Sequence, residues 1–350
     1  MKNQIVKKKY LIIAAVGIVL LALLFLLIVL FANSEDEYSF LEKNWINSNV
    51  NNVIDINVPS DIPVFNSSGK GVFIDFINDF EKDTNLSLNV VTTNSSYSFN
   101  VVNSISENDL VLFKDHYVLV SINDSNISSI KDLKEREIAV LSSDLSLVSD
   151  YMKDVSGVQY KSCADTSEIK ESLESGSHFA IMPLYRYIDN IIYDDLSIVY
   201  HLDGLNYYYV INMPQNGDRL NDILAKFLNR WQEELDKSIN SNLIDIYFTA
   251  NELSDVQKES IVNEDYIVGY IENLPIEGMI NREFNGLSNI YLSKFSEFTG
   301  ATYKFVKYNN INDLVNALNK KKVDLVYNYY SINNGNYEVT KGLGNTKYVL

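Results

Sequence analysis

The sequence predicts an α/β protein on three observations: strand-like and helix-like segments alternate along most of its 350 residues, one block of that pattern recurs near the C-terminus, and a single long apolar run precedes it all. The run is "YLIIAAVGIVLLALLFLLIVLFA", Tyr10 to Ala32, 23 residues without a charged side chain. As a helix rising about 1.5 Å per residue it reaches roughly 34 Å, enough to cross a hydrocarbon core of about 30 Å. The apolar part of an export signal is shorter, roughly 7 to 15 residues, and ends in small residues. This run ends in "LLIVLFAN" and so reads as an uncleaved transmembrane anchor. Lys2, Lys7, Lys8 and Lys9 precede it and "SEDEY" follows it. The positive-inside rule then puts residues 1–9 in the cytoplasm and everything after the single span outside the cell membrane. Residues 33–50 read as a linker.

Composition narrows the function classes. The chain has 29 Lys and Arg, four of them in the leader, and 46 Asp and Glu, all after residue 34, for a formal net charge of −17. An acidic exterior argues against nucleic acid or anionic lipid as the main partner. A single cysteine, Cys163, excludes an intramolecular disulfide and any cysteine-based zinc cluster. The three histidines, His116, His178 and His201, form no HExxH or other close pair in sequence, so neither a metal nor another cofactor is expected. No GxxxxGK[ST], GxGxxG or GxSxG occurs, and no carboxylate pair stands out. No enzyme is expected within these residues.

The repeat is found by placing "GVFIDFINDFEKDTNLSLNVV" (71–91) against "GLSNIYLSKFSEFTGATYKFV" (286–306) at an offset of 215 residues. Gly71 falls on Gly286, Phe76 on Tyr291, Phe80 on Phe295, Thr84 on Thr299 and Asn85 on Gly300. In the first copy Phe73, Phe76, Ile77 and Phe80 space as i, i+3, i+4, i+7, one apolar helical face. Asn and Gly at the far end are usual helix terminators. Strand-like runs flank each helix: "VIDINV" and "LSLNVV" in the first copy, "YIVGYI" and "TYKFV" in the second. At the same offset "NDLVLF" (108–113) falls on "VDLVYN" (323–328), and further on "KYVL" (347–350), outside that offset, matches "HYVL" (116–119). Before "VDLVYN", Ile311, Leu314, Val315 and Leu318 predict a further amphipathic helix.

Between the copies, "HYVLVS" reads as a strand and "SIKDLKEREIAVLSSDLSLVSDYMK" as a short helix, a strand and a helix. "SEIKESLESGSHFAIMP" is a helix and a strand, "LYRYIDNIIY" is helical, and "LSIVYHL" and "YYYVINM" are strands. "DRLNDILAKFLNRWQEELDKSINSNLIDIYF" is a long helical end, and the polar "TANELSDVQKESIVNEDY" (249–266) is a helical connector. Strands alternating with helices imply sheets covered on both faces.

The order of these phrases resembles the extracellular solute-binding proteins of family 3, the two-lobed, periplasmic-binding-protein-like (flytrap) domains of bacterial amino-acid uptake and of many sensor kinases. The phrases carrying the likeness are "GVFIDFINDFEKDTNLSLNVV", "KDLKEREIAVLSSD" and "ESLESGSHFAIMP" in the first copy. In the second they are "YIVGYIENLP", "GLSNIYLSKFSEFTGATYKFV" and "LVNALNKKKVDLVYNYY". The resemblance implies a first domain over residues 51–249, with lobe one from 51–115 and about 205–249 and lobe two from about 120–204. A helical connector over 250–265 follows, then lobe one of a second, truncated copy over 266–350. Amino-acid-binding members hold the ligand carboxylate with an Arg in lobe one and its ammonium with an acidic residue at the end of a lobe-two strand. Here no Arg precedes Arg136 in the first copy, and that lobe-two strand runs into Pro183 and Leu184.

Candidate site residues follow from positions on this plan. Phe65 lies in the first loop, where the family stacks an aromatic ring on its ligand. Ser142 and Ser143, after the strand "EIAVL", read either as a helix N-cap or as hydroxyl and N–H donors to an anionic group. Tyr185 and Arg186 read either as cleft-facing or as an exposed helix start. In the second copy Asn328, Tyr329 and Tyr330 read as cleft-lining or as a half-buried strand end. The functional expectation is a membrane-anchored extracytoplasmic sensor region, the input part of a larger signalling protein that continues beyond residue 350 and takes a small polar solute, with a homodimer if it is a receptor. The other reading is an anchored solute-binding receptor of an ABC-type amino-acid uptake system.

Overall fold

In a computed structural model of the chain, the described residues are 37–327, apart from 124–126, 216–218 and 263. The expected anchor at 10–32, and the positions Asn328, Tyr329, Tyr330 and 347–350, lie outside them. No helix among the described residues is long and apolar enough to cross a membrane. The chain divides into two compact units, Met1–Ile246 and Tyr247–Leu350.

Unit one opens with α1 (Phe40–Asn49), where the sequence suggested a linker. Ser39 and Glu42 form a reciprocal capping box at its start, which satisfies two backbone donors that a helix end otherwise leaves open. Ile46 and Glu42 are buried, and the Glu42 carboxylate meets Lys226 at 2.9 Å. A capping box and an ion pair on a buried carboxylate make this segment part of the domain, not a tether.

An eight-stranded mixed sheet runs through the unit in the order β2-β1-β3-β8-β4-β7-β5-β6. One half holds β1 (Val53–Asn57), β2 (Ser87–Val91) and β3 (Tyr97–Val102). The other holds β5 (Glu137–Leu141), β6 (Gln159–Cys163) and β7 (Phe179–Pro183). Two long antiparallel strands, β4 (Asp109–Ser121) and β8 (Ser197–Asn212), belong to both halves and carry the chain between them. The sequence broke each into two shorter strands, because His116 and Gly204 interrupt the apolar runs; hydrogen bonding to neighbours on both sides keeps them continuous. We call the halves lobe one and lobe two.

In lobe one the α2 helix (Val72–Thr84) buries Phe73, Phe76, Ile77 and Phe80. Phe76 meets Phe227 of α6 (Leu220–Arg230) and Trp231 edge-on, each at 5.2 Å between ring centroids. The Trp231 indole N–H donates to Asp79 at 3.0 Å, so the ring is buried with its one donor paired. A long helix, α7 (Gln232–Ala250), follows. In lobe two, alternation assigns the two faces. Ala139, Leu141, Ala180 and Met182 point to one core, and Ile138, Val140, Phe179 and Ile181 to another. Two short helices, α3 (Leu145–Tyr151) and α4 (Thr166–Ser175), cross between its strands, and α5 (Ile188–Tyr193) follows β7.

Unit two holds α8 (Asp255–Ile261), β9 (Asp265–Tyr270), the hairpin β10 (Gly278–Ile280) and β11 (Glu283–Asn285), α9 (Leu287–Thr299), β12 (Thr302–Lys307), α10 (Ile311–Asn319) and β13 (Leu325–Val326). Its sheet order is β12-β9-β13, all parallel.

The first strand, turn, helix and second strand of unit two repeat those of unit one bond for bond. Asn66 N–H donates to Ile62 O, and Glu277 N–H to Asn273 O. Phe73 N–H donates to Phe65 O at 2.9 Å and Ser288 N–H to Ile276 O at 3.0 Å. Both helices begin at a glycine with positive φ, Gly71 at 128° and Gly286 at 114°. A Cβ there would lie 2.6 Å from the Phe65 backbone and 2.4 Å from the Ile276 oxygen. Both end in a left-handed residue, Asn85 and Gly300, beside a threonine whose hydroxyl donates four residues back: Thr84 to Phe80 O, Thr299 to Phe295 O.

The third repeated element needs a correction. β13 pairs parallel with β9 as β3 pairs parallel with β1, so the partner of "DLVYN" in the first copy is "YSFNVV", not "DLVLF". The constant offset failed because α10 lies between β12 and β13, whereas only a short loop joins β2 to β3. "DLVLF" is the first half of the crossing strand β4.

Candidate ligand site at the strand crossing

The chemistry-bearing side chains of unit one gather where β4 and β8 pass between the lobes. Asp115, fully buried on β4, is the pivot. One carboxylate oxygen accepts the His116 N–H at 2.7 Å and the other the Tyr185 N–H at 2.9 Å. A lobe-crossing strand is thereby tied to the turn Tyr185–Tyr187 that follows β7. Burial lifts the Asp115 pKa to about 7, against the pull of the His116, Tyr185 and Arg186 backbone donors. Tyr209 of β8 also acts on this carboxylate, yet its buried hydroxyl lacks a partner of ordinary hydrogen-bond geometry.

Aromatic rings from both lobes meet at the same crossing, Tyr209 and Tyr185 among them. Phe65 stacks on Tyr209 at 3.7 Å and lies 5.7 Å from Phe113, which meets Tyr185 edge-on at 5.1 Å. On the lobe-two side Tyr117 packs against Tyr207 at 5.9 Å, and the Arg186 guanidinium lies 5.9 Å from the Tyr187 ring centre. Asp144, at the start of α3, acts electrostatically on Tyr117, Tyr187 and Tyr207, and Arg186 on Tyr187, Tyr207 and Tyr209. Burial raises the Asp144 pKa, opposed by the Ser143 and Tyr117 hydroxyls. One acid, one guanidinium and a set of tyrosines thus share the junction, an arrangement able to hold a small molecule with both a donor end and an acceptor end.

The sequence candidates fare unequally. Tyr185 and Arg186 are brought to the junction, both half-buried. Phe65 is fully buried in the lobe-one core, its ring covered by Tyr209, so it presents no face to a ligand in this conformation. Ser142 neither caps a helix nor awaits an anion: its N–H and hydroxyl both donate to Cys163 O at 2.8 Å, joining β5 to β6. Ser143 donates to the Asp144 carboxylate at 3.1 Å. The place suggested for an anion is therefore occupied by a carboxylate, which favours a donor or a cation instead.

Sequence reading missed Asp115, Asp144, Tyr117, Tyr187, Tyr207 and Tyr209. Asp144 stood one residue past the named serines, and Asp115 was the only charge between Lys114 and a long apolar run. It also missed that His116 and His201, 85 residues apart, meet at 2.7 Å. Among the described residues no group of three or more His, Cys, Asp or Glu is arranged to hold a metal ion.

No family model matches the chain, and no curated protein matches it. Solved structures do. The chain is similar to the periplasmic domain of BvgS from B. pertussis at 14% identity and a TM-score of 0.48, covering 83% of this chain and 63% of that one. It is similar to the amino acid ABC transporter substrate-binding protein AbpA from Streptococcus pneumoniae, bound to L-arginine, at 13% identity and a TM-score of 0.42, over 58% of this chain and 99% of that one. It is also similar to the GluR0 ligand-binding core in complex with L-glutamate, at 12% identity and a TM-score of 0.44, over 55% and 98%. This chain thus spans under two thirds of the BvgS periplasmic domain.

Proposed function

We propose that the chain is a family 3 solute-binding protein in sensor form: a membrane-anchored, extracytoplasmic region whose first domain closes on a small polar solute and passes that closure to a larger signalling protein. The observation that carries the reading is the pair of crossing strands. Two α/β lobes joined through one bulged β4–β8 ladder, with acid, guanidinium and tyrosines gathered at the crossing, form a hinge with its recognition groups beside it. Supporting the tandem arrangement is the bond-for-bond recurrence of the β1–α2 unit as β9–α9, read here as lobe one of a second domain. Supporting the anchor is the uncharged run at 10–32.

The solute is a small molecule with a donor or cationic end for Asp144 and an acceptor end for Arg186. A thermal-shift survey of the full chain against amino acids, amines and other small polar metabolites is the test. A ligand at about one hundred times its Kd adds about 2.7 kcal/mol to stability. At least one compound is expected to raise Tm, and Asp144→Asn or Arg186→Gln to abolish that ligand-dependent gain. A panel with no stabilising compound, or a gain indifferent to both substitutions, refutes the site. The anchor is tested separately by alkaline extraction of membranes: the intact chain is expected to stay in the pellet, and a chain lacking residues 10–32 to be released.

A further inference from the structure

The crossing strands are not evenly paired. His116 on β4 pairs with Asn206, but the next residue, Tyr117, pairs with Leu202, so β8 puts three extra residues, Asp203 to Leu205, opposite a single step of β4. Gly204 in this bulge has φ 87° and no neighbour near its α-carbon that a side chain would strike. The break lies where the chain leaves one lobe for the other, the place where a small change in backbone angles turns into lobe rotation.

Two imidazoles bridge this break. His116 stands on its lobe-one side, and His201, which pairs with Val118, on its lobe-two side. Nε2 of His116 and Nδ1 of His201 are 2.7 Å apart, and the rings lie 5.0 Å between centroids. The chemistry of such a pair depends on its proton count. Two neutral rings make one hydrogen bond, one nitrogen donating and the other accepting. One added proton keeps that bond and makes it charge-assisted. A second added proton leaves two N–H donors and two positive charges face to face, with no acceptor between them.

We propose that the His116–His201 pair is an acid-released latch on the lobe hinge. With two neutral rings or one added proton it holds the lobes at the angle seen here, and the second proton frees them. The inference needs two lobes and their crossing strands, but no ligand. The groups facing the pair are Asp203 in the bulge and Asp115 on β4, whose carboxylate lies 3.9 Å from His116 Nδ1. Tyr151 of α3 adds a hydroxyl that donates to the Asp203 backbone oxygen. Tyr185 and Arg186 reach the pair only through Asp115, which accepts from their backbone. Burial first, and the charge of His201 second, make His116 a weaker base than usual, with Asp203 opposing. The second proton is thus taken up below the ordinary histidine range.

The test is an inter-lobe distance measured between spin labels on cysteines replacing Lys82 of α2 and Glu171 of α4, both exposed, in the full chain carrying Cys163→Ser. Without added solute, the distance distribution is expected to hold steady from about pH 8 down to about pH 6.5 and to gain a second population by about pH 5, favoured by roughly tenfold for each pH unit of coupling between the rings. In His201→Gln the glutamine can accept from protonated His116 without carrying charge, so the acid response is expected to vanish. Because His201 is exposed, that substitution leaves the core untouched. In Asp115→Asn the response is expected to persist. A distribution that ignores pH in the parent chain, or an acid response unchanged in His201→Gln, overturns the latch. Loss of the response in Asp115→Asn together with its retention in His201→Gln also overturns it and assigns the switch to the buried carboxylate.

Discussion

Gly71 and Asp115 carry consequences out of proportion to their size. Gly71 sits at φ 128° with its α-carbon against the Phe65 carbonyl, so Gly71→Ala forces either the turn or the start of α2 to shift. A loss of about 1–3 kcal/mol is expected in chemical denaturation, with a similar loss for Gly286→Ala read in unit two. Two different penalties would argue against treating the two turns as one repeated device. Asp115 makes a pH prediction. Its folded-state pKa, about 7, lies above the unfolded value near 3.9, so the folded chain keeps a proton that the unfolded chain releases. The stability from this group is fully present below about pH 4 and is lost as pH rises towards about 7, at no more than about 1.4 kcal/mol per pH unit. Urea midpoints of the parent chain across that window should therefore carry a falling component that Asp115→Asn removes; identical slopes in both would contradict it. None of this was visible in the sequence, where Asp115 was one acidic residue among 46.

For whole elements, legibility tracked how local the determining interactions are. The α2 helix was readable residue by residue, because its apolar face, its initiating glycine and its terminating Asn85 all lie within one segment. Its burial against Phe227 and Trp231 predicts that Phe76→Ala costs about 3–5 kcal/mol, measured by thermal unfolding. A cost below about 1 kcal/mol would mean the edge-on contacts contribute little. The α1 helix was mistaken for a linker because its apolar content is thin; the capping box and the partner of Glu42, on α6, hold it. Lys226 and the Ser39 backbone outweigh burial in keeping the Glu42 carboxylate ionised. The long strands β4 and β8 were each split in two, since continuity there rests on pairing with partners up to a hundred residues away. The misplaced third repeat element has the same origin: a fixed offset cannot see that a helix is present in one copy and absent from the other.

At the scale of the whole molecule, the sequence pattern was enough for the α/β class and for the recurrence of the β1–α2 unit, but the site was not legible as a site. Its members come from three separate stretches, residues 113–117, 144 and 185–209, that only the crossing strands bring together. The serines singled out beside Asp144 had the right address and the wrong charge. Residues 10–32 and 328–350, where the anchor and the second copy's tyrosines were placed, lie outside the described residues. The central claim is that the two lobes of unit one close on a small polar solute bound at the crossing. It is tested most directly by the Lys82–Glu171 label distance in the full chain at neutral pH, titrated with whichever compound raises Tm. The account predicts a shorter, narrower distance distribution that saturates with the compound and is lost in Arg186→Gln. A distribution unchanged at saturating compound would contradict it.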